Sequence, residues 1–123
     1  MVSHLFVNRT RKNIPVNERD VFEIIDSHLK KRGRPNAIVE VEVVGLRKIA
    51  SLNTQYLGKK GPTDVLSFPL KRVPGEDNSL IGTIVLCSDI INLHAKDNGI
   101  SYSQEFSLKL VHGVDHLLGR HHK

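Results

Sequence analysis

The sequence predicts an α/β or α+β domain built on one mixed sheet. Three observations carry that prediction. Strand-like and helix-like segments interleave along the chain. The chain has 123 residues, 39% of them hydrophobic and 25% charged, which suits one soluble domain over residues 1–123. Turn and cap residues fall between the periodic segments, with no repeat and no linker.

The elements follow in order. Residues 4–8 read as a short first strand. Asn17 can cap a helix, and Glu18 and Asp20 suit its positive end. Val21, Ile24, Ile25, His28 and Leu29 follow helical spacing, and Gly33 and Pro35 stop the helix. Residues 37–44 alternate, with Val39, Val41 and Val43 on one face, as in a half-buried strand. Residues 46–56 fit a second helix, and residues 58–62 form a Gly/Pro loop. Residues 63–68 read as a strand ended by Pro69, and residues 71–79 as a polar connector. Residues 80–86 read as a strand buried on both faces. Ser88 is placed to cap a third helix over 89–97, ended by Asn98-Gly99. Ser101 or Ser103 starts the last helix, which runs to about Leu118.

That last helix carries the clearest chemistry. His112 and His116 stand four apart, one turn on one face, and can share a metal ion. At about 100° per residue, Leu110, Val111, Val114, Leu117 and Leu118 gather on one side, and the two histidines fall almost opposite. Gly119 suits a left-handed helix end, after which His121 or His122 can return as a third ligand. Three imidazoles leave a fourth zinc position open, the catalytic pattern. The zinc-protease motif has glutamate after its first histidine, and here that position is Gly113. Gly113 leaves room either for substrate or for close packing. Asp115 lies between the core stripe and the histidine face, where it can orient a histidine, and it reads as solvated.

Charge and composition narrow the partners. The net charge of +5 attracts polyanions such as nucleic acid, although the positive residues are spread out. No apolar run is long enough to span a membrane, and no secretory signal is visible. A lone Cys87 suits a reducing cytoplasm.

Two separated segments resemble one known family. His112-Gly113, His116-Leu117-Leu118-Gly119 and His122 resemble the signature of the YbeY family of metal-dependent endoribonucleases. Pro62-Thr63-Asp64-Val65-Leu66-Ser67-Phe68-Pro69 resembles its second signature. Asn53-Thr54-Gln55-Tyr56 and Leu80–Val85 also fit, and order and spacing agree from about residue 38 to 122. The resemblance implies an α+β domain with a small mixed sheet flanked by helices and a metal site on the C-terminal helix. It implies one zinc ion on His112, His116 and His122, and so favours His122 over His121. It further implies a cytoplasmic enzyme that cleaves single-stranded RNA, matures ribosomal RNA 3′ ends and meets the small ribosomal subunit. Asp64 and Ser67 become candidates for the substrate groove.

Three departures from the family stand out. Leu57 occupies a position where the family carries an arginine linked to activity, and Lys59 or Lys60 could replace it only as a point charge. Thr83 replaces the usual acidic residue. The chain also stops one residue after His122, before the family's further helix. Two other expectations therefore stand beside the nuclease: a ribosome-associated RNA-binding protein of weakened activity, and a zinc hydrolase of another substrate.

Overall fold

The structure is a computed structural model that describes residues 4–120. Its elements are β1 (Leu5–Asn8), α1 (Glu18–Lys31), β2 (Ile38–Val44), α2 (Leu46–Leu57), β3 (Val65–Pro69), β4 (Leu80–Cys87), α3 (Ser88–Asn98) and α4 (Tyr102–Leu117). The four strands form one mixed sheet in the order β1-β2-β4-β3. β1, β2 and β4 run parallel, and β3 closes the edge antiparallel to β4. The α+β expectation holds.

Side-chain alternation assigns each sheet face its own layer. Val39, Val41, Val43, Ile84 and Leu86 point to one face and pack with Val21, Ile25 and Leu29 of α1 and with Phe106, Leu110 and Val114 of α4. Val44, Val85 and Cys87 point to the other and meet Ile49 of α2 and Leu66 of β3. Among the described residues, no helix is long and apolar enough to cross a membrane.

The caps largely follow the sequence. The Asn17 side chain accepts from Asp20 N–H at 2.8 Å. Ser101, rather than Ser103, caps α4, in a reciprocal capping box with Gln104. Gly119 takes φ +79, and Arg120 N–H donates to the Asp115 carbonyl at 2.8 Å, which completes a Schellman close. Two expectations fail. Ser88 is not the cap of α3: Cys87 holds that position without a side-chain bond, and the Ser88 hydroxyl pairs instead with Tyr102 Oη at 2.7 Å. β3 runs over Val65–Pro69, so Thr63 and Asp64 lie outside it, although the Asp64 carbonyl still accepts from Cys87 N–H at 2.8 Å.

Candidate metal centre

α4 crosses the sheet antiparallel to β4, and two glycines set how closely. A Cβ on Gly113 would lie 2.8 Å from Ile84 Cγ2, and one on Gly82 would lie 2.6 Å from Leu117 Cδ2 and 2.5 Å from the Phe68 carbonyl oxygen. Gly113 therefore serves close packing against β4, not space for a substrate. The Ser67 hydroxyl donates to the Gly113 carbonyl at 3.2 Å and ties the edge strand to the same turn.

His112 and His116 occupy this anchored part of the helix. Their rings lie 4.4 Å apart between centroids, tilted by 52°. Both are half-buried. Two imidazoles one turn apart form a donor pair suited to zinc. Among the described residues no third His, Cys, Asp or Glu joins them. The expected third ligand, His122, and its rival His121 lie outside the described residues.

Asp115 corrects the sequence reading. It is only 4% exposed, not solvated. Its Oδ1 lies 2.7 Å from His28 Nε2, and Arg32 reaches both oxygens with Nε at 3.1 Å and Nη2 at 3.3 Å. Burial alone would raise the Asp115 pKa, but the His28 and Arg32 bonds outweigh it and hold the carboxyl below its ordinary range. His28 lies in the last turn of α1 and Arg32 is its C-cap, so this cluster clamps the histidine-bearing turn to the end of the neighbouring helix.

A second polar network leads up the same helix. Glu105, Lys109, His112 and His116 follow at spacings of four, three and four, which makes one stripe along α4. Asp64 Oδ2 receives Lys109 Nζ at 3.0 Å and lies 3.5 Å from His94 Nδ1. Glu105 is 2% exposed; it accepts from Asn98 Nδ2 at 3.1 Å and lies 3.6 Å from Lys109 Nζ. Burial would raise the Asp64 pKa, and Lys109 foremost brings it below the ordinary value. The sequence reading missed Lys109 and His94. The stripe spacing could have revealed Lys109, whereas His94 sits on α3 and only the fold brings it near Asp64.

The remaining candidates lie on α2, the loop after it and β4. Leu57 ends α2 in an exposed position, and Tyr56 beside it packs edge-on to Phe68 at 5.3 Å between centroids. Lys59 and Lys60 lie exposed on the loop that leaves α2. Asn53 Nδ2 pins that loop by donating to the Gly61 carbonyl at 3.0 Å. Thr83 Oγ1 donates to Glu40 Oε1 at 3.3 Å on the sheet face away from α4.

Comparison with known proteins places the chain in a group. The profile of the family described as Endoribonuclease YbeY matches residues 6–123. A protein named Endoribonuclease YbeY from Methylococcus capsulatus is 37% identical over 89 residues, covering 72% of this chain and 59% of that protein. Its namesake from Frankia casuarinae is 37% identical over 97 residues, covering 72% and 48%. That from Alteromonas mediterranea is 35% identical over 94 residues, covering 76% and 60%. The chain thus spans 48% to 60% of the length of these relatives. The solution structure of TM1509 from Thermotoga maritima superposes with a TM-score of 0.62 at 25% identity, covering 98% of this chain and 75% of that one.

Proposed function

The chain belongs to the YbeY endoribonuclease family, and on that premise we propose that it is a zinc-dependent endoribonuclease. It acts on single-stranded RNA, in the maturation of ribosomal RNA 3′ ends. Ribosomal RNA and the small ribosomal subunit are its partners, in the cytoplasm. One zinc ion per chain is held by His112, His116 and His122. The observation that carries this reading is the His112–His116 pair, with ring centroids 4.4 Å apart on a helix turn anchored from three sides. Bound zinc supplies Lewis acidity and, by lowering the pKa of water from about 16 to about 7, a nucleophile at neutral pH.

The protein's own residues hold that geometry. Gly113 lets α4 reach Ile84, Ser67 fixes the Gly113 carbonyl, and Asp115 locks the turn to α1. Asp64 holds Lys109 beside the histidine stripe, and Asp64 and Ser67 border the substrate groove. Lys59 and Lys60 offer point charges to phosphate from the α2 side.

The test combines metal analysis with cleavage of a labelled unstructured RNA. Removing a ligand costs at least what removing a partner of a ligand does, so His116→Ala should lower zinc affinity by about 100-fold or more. Cleavage should vanish with it, while circular dichroism keeps the native spectrum. A wild-type protein that takes up no zinc overturns the reading. Unfolding on chelation would instead assign the metal a structural role.

Leu57 favours a second reading, an RNA-binding protein of weakened nuclease activity. Leucine offers neither charge nor a bidentate fork to a phosphate. A gain of about tenfold or more in cleavage by Leu57→Arg indicates a weakened enzyme. Tight binding with no cleavage by either form indicates a binding module.

A further inference from the structure

α4 carries its histidines toward the start of β4, where Leu117 meets Gly82, while its first residue, Tyr102, reaches Ser88 just past the end of β4. The carboxyl ends of the parallel strands therefore lie at the other end of the sheet. β1 and β2 are neighbours there, yet their exits diverge. β1 leads toward α1 on one face, and β2 enters α2 on the other. Divergent exits from adjacent parallel strands open a crevice, the usual ligand position in open sheets of this kind. Here it is a cleft of about 690 Å³ between the loop after β1 and the starts of α2, α3 and α4.

Four cations line the cleft: Arg9, Lys12, Arg47 and Lys48, all exposed, against the single acid Asp89. Arg9 leans on Glu42 at 3.4 Å. Among the described residues, Lys12, Arg47 and Lys48 have no carboxylate within ion-pair reach. Arg47 and Lys48 also stand in the first turn of α2, where the helix dipole disfavours cations, and that turn carries no acid. An anion in the cleft turns this repulsion into attraction.

The opposite wall is held in shape. Asn8 Oδ1 accepts from the Thr10 N–H at 3.0 Å and the Thr10 hydroxyl at 2.6 Å, and Asn8 Nδ2 donates to the Lys12 carbonyl at 2.7 Å. This turn keeps Arg11 at φ +63, a conformation that costs a non-glycine residue about 1 kcal/mol or more. It sets Arg9 and Lys12 facing the start of α2.

We propose that this cleft binds backbone phosphates of single-stranded RNA, as a contact separate from His112 and His116. The identity of the polyanion rests on the nuclease reading; the cleft itself rests on its charge and topology. Tyr102, which lines the cleft, precedes His112 and His116 on α4, so at about 1.5 Å per residue the two sites are roughly 15–20 Å apart, a span that one flexible strand can bridge.

The experiment measures anisotropy of a fluorescein-labelled 2′-O-methyl RNA of about 16 nucleotides, a length within the range of single-strand binding sites, across a salt series. Arg47→Glu/Lys48→Glu is compared with Lys30→Glu/Lys31→Glu, which makes the same charge change at the end of α1. The cleft variant should bind about tenfold or more weakly, and its salt slope should fall by about 1.4, at roughly 0.7 for each phosphate left without its cation. The control should stay within about threefold. Arg47→Ala/Lys48→Ala should move in the same direction. Because acids suit a helix start, the cleft variant should melt no lower than wild type. Equal losses in the two double variants overturn the proposal, as does equal displacement of RNA by polyglutamate at matched charge. Zinc-loaded cleavage of unmodified RNA is measured separately. Cleft-dependent binding without cleavage sinks the nuclease and keeps the cleft, and cleavage with control-like binding by the cleft variant sinks the cleft alone.

Discussion

From the amino end of β4 to its middle, side chains are placed by buried contacts: Gly113 against Ile84, Ser67 on the Gly113 carbonyl, and Asp115 between His28 and Arg32. At the carboxyl end, four exposed cations stand on separate segments and touch little. The difference matches what the proposed roles ask of each end. Metal ligation, the role proposed for the histidines, tolerates errors of only tenths of an ångström, and a rigid helix clamped on several sides suits it. Attraction of a polyanion depends on summed charge over several ångströms, and mobile side chains supply it as well as fixed ones. The histidine end should therefore fail abruptly, and the cleft should weaken by degrees.

The most damaging single change lies at the helix–sheet contact. Gly113→Val adds atoms where even a Cβ has only 2.8 Å to Ile84. Urea unfolding should show a loss of about 3 kcal/mol, at the upper end for overpacked cores. Zinc affinity should fall too, because α4 must move and carry both rings with it. Unchanged zinc affinity would break the comparison, since the pair would then not depend on the packing beneath it. Asp115→Ala should cost less, about 2 kcal/mol, because it strips a buried acceptor from His28 while Arg32, 31% exposed, can turn to water.

The sequence made one end far more readable than the other. His112, His116 and the helix-ending Gly119 lie within eight residues, so helix periodicity and cap chemistry group them. The strands, the Asn17 cap and the Gly119 close were legible for the same local reason. Asp115 was misread because its burial depends on His28 and Arg32, more than eighty residues earlier. Ser88 was misread because its hydroxyl finds Tyr102 on another helix instead of its own backbone. The cleft was invisible: Arg9, Lys12, Arg47 and Lys48 form ordinary charge clusters until parallel pairing of β1 with β2 sets them face to face.

Acid sharpens the contrast at intermediate strength. Asp64 is held ionised below its ordinary range, with burial opposing and Lys109 prevailing. A carboxyl with a depressed folded pKa adds stability above its unfolded value, about 3.9, and loses it as pH falls through the folded value. Wild type should therefore lose stability from about pH 4 downward more steeply than Asp64→Asn. Above pH 5 the substitution should cost about 1 kcal/mol, since Lys109 is 30% exposed and water screens the pair. Parallel acid profiles for the two proteins would show that the Asp64–Lys109 bond carries no net stability.

The smallest effects belong to single cations of the cleft. Lys12→Ala should leave unfolding within about 0.5 kcal/mol of wild type, because an exposed lysine with no ion-pair partner among the described residues holds no structure together. RNA affinity should drop by only a few-fold at low salt, and its salt slope by about 0.7. Combining it with Arg47→Ala should multiply the losses, because separated charges act independently on a flexible strand. RNA titrations across a salt series, with both single variants and the double, measure this directly. A loss of more than about tenfold from Lys12→Ala alone, persisting at high salt, would mean a fixed hydrogen-bonded phosphate seat. The cleft would then be a built site like the histidine end, and the distinction between the two ends would collapse.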